Sequence, residues 1–529
     1  FVEVSLSPSV VSSPSSEHDM AFPSSSSSPS DTAPPAADQH FVDLVVEDSG
    51  EGMTEHFVSH RLFEPFVKAD NFKAGAGLSV TLCSTIVRRM GGSMHVSSDK
   101  GRGTIVTVKI PVQSLPQPSV TPAPPSQSDQ LIYLYGFEGP GLQRLAQVIP
   151  AQLATFEAGV TGPDLEAQLR ARGFMLGHFP QSFEYASLGG WVVTRSSGQQ
   201  SLRYGRSEQW FAGGRLQTPG GEWVIPPLPA SAAGPDLREW VLGSEGRLGV
   251  LSDVTVRVSR LPEREQFLGV FFPSWDAGLT AVRELAQRRL PLSMLRLSNA
   301  VETETTLRLA GHAGTIAWLE RYLAWRGCGA GKCLLMLGLT GSAPQVRALR
   351  AEAGALWCAH GGVGTGERLG QAWVAKRFAG VYLRNALWEA GYMVDTMETA
   401  LPWTGTTAMV QAIEQAGAQA LAALGERCHA YTHLSHVYPT GSSVYSTFVL
   451  RVGADGAESA TRWRALKTAV NAAIVAQGGT ISHQHGVGRD HRDALAAEKG
   501  AAGLAQLDAA IAQADPQGLL ASGNLRPLR

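Results

Sequence analysis

The stretch GGTISHQHGVGRDHR, residues 478–492, sets two imidazoles, His483 and His485, on either side of Gln484 and directly ahead of Gly486-Val487-Gly488. Imidazole can ligate a metal, hold a phosphate or carry a proton near neutral pH. On a strand, the i, i+2 spacing would put both rings on one face. Two imidazoles are too few for a metal site and no acidic or cysteine partner stands close in sequence; His491 is the other nearby candidate, so no metal is expected. Two choices stay open: core histidines bonded to backbone, or a hydrogen-bonding and acid–base pair beside a ligand. Which one holds depends on what the rest of the chain can build.

A second stretch with chemical potential is GHFPQSFEYASLGGWVVTRSSGQQSLRYGR, residues 177–206. It mixes small polar residues, a glycine pair and aromatics with little regular period, which suits a loop wrapping a flat polar ligand. Ser182, Ser187, Thr194, Ser196 and Ser197 can hydrogen-bond to such a ligand, and Gly189 and Gly190 let the backbone come close. An ordinary Gly/Ser loop is the plainer reading. In WVLGSEGRLGVLSDVTVRV (240–258), Gly243, Gly246 and Gly249 make a turn that feeds a β-branched strand.

These stretches belong to a chain of 529 residues, long enough for two to four domains. Net charge is −2, which gives no reason to expect attraction to nucleic acid or anionic lipid. Five scattered cysteines, Cys83, Cys328, Cys333, Cys358 and Cys428, form no CxxC pair. They read as reduced thiols of a cytosol-like, cytoplasmic compartment. No apolar run reaches the ~20 residues that span a bilayer. The opening FVEVSLSPSVVSSPSS is not a secretory signal, and a start on Phe1 reads as a fragment or processed product. Residues 1–40 are Ser/Pro-rich and expected to be disordered, and 113–128 reads as a linker of the same composition. A short strand–helix piece occupies 129–156. From about 157 to the end, strands and helices alternate as in a large globular part.

Between the Ser/Pro tract and the linker, residues 41–112 read as strand (FVDLVVED), helix (GLSVTLCSTIVRRMGG) and two strands around a DKGRG turn. Asp48, at a strand end, can accept from an adenine amino group. Gly50 and Gly52 would let the backbone approach the base. Gly75 and Gly77, ahead of a helix, offer amides to phosphate. Together with GRGTIVTVKIPV, these pieces resemble the ATP-binding domain of histidine kinases, in particular fungal ones. That family needs an upstream helix with a Mg-chelating Asn and a dimerisation helix with the phosphorylated His. Here the Ser/Pro tract stands upstream, and His40, His56, His60 and His95 sit in no such helix. ATP with Mg is therefore the lesser cofactor expectation. CGAGKC (328–333) and GGVGTGERLG (361–370) lack a P-loop ending and read as turns.

Residues 157–529 resemble the vanillyl-alcohol-oxidase-type FAD family, and within it alkylglycerone-phosphate synthase and its bacterial relatives. The resemblance rests on GVTGPDLEAQLRARGFMLGHFPQS, SLGGWVVTRSSGQ, LGSEGRLGVLSDVTVRV, SMLRLSNAVETE, DTMETALPW, ISHQHGVG and the closing NLRP. It implies an α+β fold: a partial PCMH-type FAD-binding domain with an antiparallel-sheet cap domain, preceded by the partial kinase-like ATPase α/β sandwich. The second part of the FAD domain would span 157–260, the cap 265–480, and 481–529 would return to the flavin. FAD is the cofactor it implies. Gln181, Ser182, Phe183, Glu184, Tyr185, Ala186 and Ser187, then Thr194, Arg195, Ser196 and Ser197, then Glu245, Gly246, Arg247, Leu248, Gly249, Val250 and Leu251 would line it. Arg296 falls at an active-site arginine, Arg384 at the group that holds a substrate phosphate or carboxylate, and Tyr438 at a tyrosine that handles a proton or the leaving acid. His483 and His485 would be hydrogen-bonding or acid–base groups beside the flavin. The family carries a histidine run here, and Gln484 replaces its middle member with a group that cannot titrate near neutral pH.

The chemistry so implied exchanges acyl for alkyl on acyl-dihydroxyacetone phosphate, an ether-lipid step, through an adduct at flavin N5. Oxidoreductase relatives instead accept a hydride from a 2-hydroxy acid. Substrates would be small or lipid-like molecules, a homodimer stays open, and so does a peroxisomal or membrane-peripheral placement. The family's P-x-G-G-G-T-S loop, which holds the FAD pyrophosphate, is not found in this sequence. Two other readings therefore stand beside the enzyme: an ATP-binding signalling protein, and an inactive chimera.

Overall fold

The computed structural model describes residues 2–11, 39–48, 50–62, 84, 87–88, 92–112, 133–134, 151–310, 313–520 and 522–527. Gly75, Gly77, Cys83, the linker 113–128 and the Asp48 side chain lie outside that description, as does most of the helix expected over 77–92. The chain divides into two compact units, residues 1–128 and 129–529.

In the first unit, strands β1 (Val2–Val11), β2 (Gln39–Asp48), β3 (Ser93–Asp99) and β4 (Gly103–Val112) form an antiparallel sheet in the order β1-β2-β4-β3. A short helix, α1 (Glu55–His60), lies between β2 and β3. The strand over residues 2–11 corrects the expectation of disorder across 1–40. VEVSL alternates apolar and polar residues before the Ser/Pro run begins, and that period of two lets it pair along the whole of β2, from Val2 with Asp48 to Val11 with Gln39. Gly52 (φ 61°) is needed for a contact within the protein. A Cβ there would stand 2.0 Å from the Asp99 carbonyl oxygen at the β3–β4 turn. Its neighbours tie to the same hairpin, Met53 N–H donating to Ser98 (2.8 Å) and Gly101 N–H to the Glu51 carbonyl (2.7 Å).

The second unit has two parts. In the first, β5 (Tyr133–Leu134), β6 (Leu153–Glu157), β8 (Phe211–Thr218), β9 (Gly221–Ile225) and β10 (Val250–Arg257) form a sheet in the order β5-β6-β10-β8-β9. Helix α2 (Gly162–Arg170) is followed by β7 (Phe174–Met175), which pairs with β11 (Ser259–Arg260), and α3 (Leu188–Val193) packs on the sheet side. The segment expected to be a loop is thus partly helical. Ser187 caps α3 by accepting from the Gly190 N–H, and further single turns cover Ser201–Tyr204 and Ser207–Trp210. Gly243, Gly246 and Gly249 all have positive φ and turn the chain into β10, as the sequence leads one to expect.

The cap follows, with β12 (Arg264–Phe272), α4 (Trp275–Gln287), β13 (Leu292–Ser298), α5 (Ala300–Leu309), α6 (Ala313–Trp325), β14 (Cys333–Gly341), α7 (Ala343–Ala359), β15 (Val363–Gly364), α8 (Gly380–Glu389), β16 (Tyr392–Pro402), α9 (Thr406–Ala422), β17 (Cys428–Leu434), β18 (Gly441–Arg451) and α10 (Gly456–Ala476). Its strands make an antiparallel sheet in the order β15-β12-β14-β13-β17-β18-β16. GGVGTGERLG, expected as a turn, holds β15 and the start of the helix Arg368–Lys376.

β14 shows how the cap coheres. Every residue of CLLMLGLTG is buried. Leu335, Leu337 and Leu339 face a cluster with Leu285 of α4, Leu349 of α7, Ile413 of α9 and Ile474 of α10. Leu334 and Met336 face the opposite cluster with Leu307 and Leu323. A mid-sheet strand with helices on both faces has no wet side, so it reads as an unbroken apolar run. Leu337→Ala is expected to destabilise the chain by about 2–5 kcal/mol, the range for a buried leucine whose cavity cannot collapse. A urea midpoint unchanged from the parent would contradict this packing.

The final helix, α11 (Leu495–Ala514), kinks at Gly500 (φ 66°) and brings Ile511 into the core of the first part, beside Leu165 and Trp191. The C-terminal segment therefore touches both halves of this unit.

Candidate functional site

β16 pairs with β18 along its full length and holds Glu398 in mid-strand. After α10 the chain runs back beside β16. Thr480 N–H donates to the Ala400 carbonyl (3.1 Å) and His483 N–H to the Glu398 carbonyl (3.2 Å). This segment is not a strand, contrary to the reading that would put the two imidazoles on one strand face. Gly478, Gly486 and Gly488 (φ 71°, 79° and 56°) bend it out of extended geometry. The two rings meet a common partner all the same. His483 Nδ1 lies 3.2 Å from Glu398 Oε1, and His485 Nε2 lies 3.6 Å from Oε2. The acidic partner absent from the local sequence comes from 85 residues upstream.

Glu398 is fully buried, and Gln484 Nε2 (2.7 Å) and the Ser435 hydroxyl donate to it. Burial pushes its carboxyl up, but His483 outweighs that and holds it well below the usual carboxylate range. Gln484 also accepts from the Ser197 N–H at 3.1 Å, so both ends of its amide are spent on holding 194–197 against β16. His436 is buried, with Nδ1 within 3.2 Å of the Ser197 hydroxyl and 3.0 Å of that of Ser201. Burial holds it well below the ordinary imidazole value, hence neutral.

Tyr438 and Arg206 complete the cluster. Arg206 Nη1 stands 2.8 Å from the Tyr438 hydroxyl and 2.6 Å from His483 Nε2, and Nη2 donates to the His483 carbonyl at 3.0 Å. The Tyr438 hydroxyl is itself 2.6 Å from His483 Nε2. A guanidinium only donates, so Nε2 must be an acceptor and the imidazole proton sits on Nδ1, facing Glu398. Glu398, His436 and His483 bring three potential metal-ligand atoms within 4.8 Å of one another. With its proton on Nδ1, His483 offers no lone pair on that side, and the set reads as a proton-handling cluster.

The segments matched to a flavin site converge on the same loop. The Glu245 carboxylate (φ 52° at this residue) accepts from the N–H groups of Val487 and Gly488, and Asn524 Nδ2 donates to the Glu245 carbonyl at 2.9 Å. Thr194 donates to the Gly190 carbonyl, and Arg195 (φ 56°) pairs with Glu239 at 2.7 Å. Gln181, Ser182, Glu184 and Tyr185 lie on an exposed turn, where Tyr185 stands edge-on to Tyr382 at 5.8 Å. Phe183, Leu248 and Leu251 belong to the apolar core, so only their backbones are left for a ligand. Arg247 is buried and donates to the Asn524 and Arg526 carbonyls, a structural task.

The two arginines singled out in the sequence fare differently. Arg296 pairs with Glu302 (2.5 Å), which also meets His433 Nδ1 at 3.0 Å. Burial raises the Glu302 carboxyl, but Arg296 and then His433 bring it down to about 2. His433 stacks on Tyr445 (4.8 Å), whose edge meets the His485 ring at 5.5 Å, so Arg296 stands behind the site rather than in it. Arg384 lies on α8 with its side chain exposed and makes no hydrogen bond or ion pair among the described residues. The structure does not bring it to the cluster.

Sequence reasoning passed over Arg206, Glu398 and His436, although Arg206 and Glu398 stand in stretches it quoted. The available signal was a histidine two residues before Tyr438. His178 was passed over too. Buried between Trp191 and Trp210, it accepts from Trp210 Nε1 (3.3 Å), and burial lowers it to about 3. Unfolded, it would titrate near 6.5. Below that pH the unfolded chain takes a proton that the folded chain refuses, so stability falls with pH across roughly 6.5 to 3, by up to about 1.4 kcal/mol per pH unit. His178→Gln is expected to flatten the acid limb of a plot of urea midpoint against pH. An unchanged slope would contradict a neutral buried His178.

The family described as FAD linked oxidases, C-terminal domain, matches residues 261–525, and an FAD binding domain matches 140–225. The histidine kinase-, DNA gyrase B- and HSP90-like ATPases match 31–114. Alkyldihydroxyacetonephosphate synthase of Trypanosoma brucei brucei is 29% identical over 382 residues, 71% of this chain and 62% of that protein. Its counterpart in Caenorhabditis elegans is 30% identical over 385 residues, 70% of this chain and 64% of that one. A solved alkyldihydroxyacetonephosphate synthase superposes with a TM-score of 0.58 at 25% identity, covering 70% of this chain and 63% of that one. The chain thus spans less than two thirds of the length of these relatives. With an FAD-domain part, an antiparallel cap and a buried Glu–His–Tyr cluster between them, the chain belongs to the FAD-linked oxidase family.

Proposed function

We propose that the chain is an FAD-dependent enzyme of the alkylglycerone-phosphate synthase type, exchanging acyl for alkyl on a dihydroxyacetone-phosphate ester. The observation that carries this reading is the buried Glu398–His483–Tyr438 cluster, set on a loop that Glu245 and Gln484 tie to the flavin-matching segments. The donor set fits the cofactor. Gln181 and Ser182 present polar groups on an exposed turn, and Tyr185, 55% exposed beside Tyr382, offers a surface for a flat ring. When bound, FAD supplies an electron sink for the substrate carbon. Tyr438 and His483 would hold and move the proton, and Glu398 would stabilise the imidazolium form of His483. His485, with 37% of its side chain exposed, is the imidazole that a substrate could reach from outside.

Incubating the purified chain with FAD, desalting it and recording the visible spectrum tests the cofactor. A retained flavin band supports the reading; a colourless chain overturns it and leaves the inactive chimera. A second reading is favoured by Gln484, whose amide is engaged at both its oxygen and its nitrogen and cannot titrate: hydride acceptance from a 2-hydroxy acid, as in an FAD-linked oxidoreductase. Anaerobic addition of such acids separates the two, since only the oxidoreductase bleaches its flavin. The four described cysteines are free, which accords with a reducing, cytosol-like compartment. No helix among the described residues is long and apolar enough to cross a membrane. The kinase-type alternative has no support in the second unit.

A further inference from the structure

We propose that Arg206 is a positioning residue that decides where the Tyr438 proton goes, by competing with the Tyr438 hydroxyl for the lone pair on His483 Nε2 and by stabilising the phenolate left when the proton moves. The inference deepens the proposed proton role of Tyr438 and His483 and rests on it.

The geometry is a matter of counting donors. A neutral imidazole has one lone pair in its ring plane. Two donors stand 2.6 Å from it, Arg206 Nη1 and the Tyr438 hydroxyl, and both cannot use it fully at once. In one arrangement Nη1 donates to Nε2, and the phenol hydrogen is free to point at a substrate. In the other, Nη1 donates across its 2.8 Å contact to the Tyr438 oxygen, and the phenol donates to Nε2. From there the proton can cross. The Oη–H bond breaks and the Nε2–H bond forms. Phenolate remains beside the guanidinium, and imidazolium lies between it and Glu398 Oε1, 3.2 Å from Nδ1. No electron moves and the net charge does not change.

The surroundings suit that step. The Arg206 side chain is only 13% exposed, so its charge is poorly screened, and Glu208 (3.0 Å from Nε) and the His483 carbonyl fix its orientation. The charged and titratable groups around Tyr438 are Arg206, His483, Glu208 and Glu398, with His436 neutral behind His483 at 5.1 Å between rings. Burial raises the Tyr438 phenol, and Arg206 pulls it back towards ionisation.

The test is an alkaline titration of tyrosinate absorbance, each protein read against its own Tyr438→Phe counterpart so that only Tyr438 contributes. It needs neither flavin nor substrate, so a chain that fails the flavin test can still pass this one. Arg206→Gln is expected to raise the Tyr438 midpoint by about one pH unit or more, and Arg206→Lys to recover most of it, because a charge within ~4–6 Å moves a neighbour by that much. Should Arg206→Gln fail to fold, Glu208→Gln decides. Removing that carboxylate strengthens the guanidinium's pull and is expected to lower the midpoint. A midpoint that neither substitution moves overturns the proposal. So does a wild-type Tyr438 that stays protonated up to alkaline unfolding.

Discussion

His483→Gln is expected to lower turnover about 10²–10⁴-fold, the range for removing a positioned proton carrier. Glutamine keeps an acceptor for Arg206 and Tyr438 but cannot take the proton and hold it. The loss should therefore fall on kcat, with KM within a few-fold of the parent, because the group lost acts while the proton is in transfer. His483 also stands where Glu398, Tyr438 and Arg206 converge. Steady-state rates on a flavin-loaded preparation, with any residual flavin loss corrected from the visible band, make the comparison. Turnover within tenfold of the parent would remove His483 from the proton path.

Glu398→Ala carries the largest stability effect expected in the site. The carboxylate is fully buried and receives the Gln484 amide and the Ser435 hydroxyl, with His483 and His485 close by. Removing one member of such a charged, buried network costs about 3–5 kcal/mol, because the donors that faced it are left without a partner. The ionised form also ties the site to pH. Held well below its unfolded value near 4.3, Glu398 contributes stability that is complete above that pH and is lost as the pH falls towards the folded value. The alanine variant should therefore be weakened at pH 7 and lose less than the parent on acidification from pH 4. Urea midpoints at pH 7 and at a series of values below pH 4 measure this, and equal losses for the two proteins would show that Glu398 does not carry the charge.

What could be read in the sequence was local. β14 announces itself as an apolar run, the glycines before β10 announce a turn, and HQHGVG marks a place where backbone bends sharply beside imidazoles. The antiparallel cap follows from the resemblance and is present in the structure. What could not be read is pairing across distance. Nothing near His483 signals that Glu398 will lie under it, because the link is made by two backbone hydrogen bonds that dock residues 480–483 on β16. Arg206 was hidden for the same reason: its three contacts to Tyr438 and His483 fall 232 and 277 positions away. Composition also misled at the N-terminus. The Ser/Pro run dominates the average over 1–40, while five alternating residues were enough to begin a strand. Arg384 lies exposed on α8, a placement that the residue type alone does not announce.

Glu245 joins the turn before β10, the amides after His485 and the amide of Asn524 through a single carboxyl group. Its practical meaning concerns handling. A purification tag fused behind Arg529, or a protease that nibbles back past Asn524, would tug on the histidine loop without touching it. Preparations that differ only in their last few residues should therefore differ in how firmly they keep a coloured cofactor, and a tag placed well away from that end is the safer choice for every measurement named above.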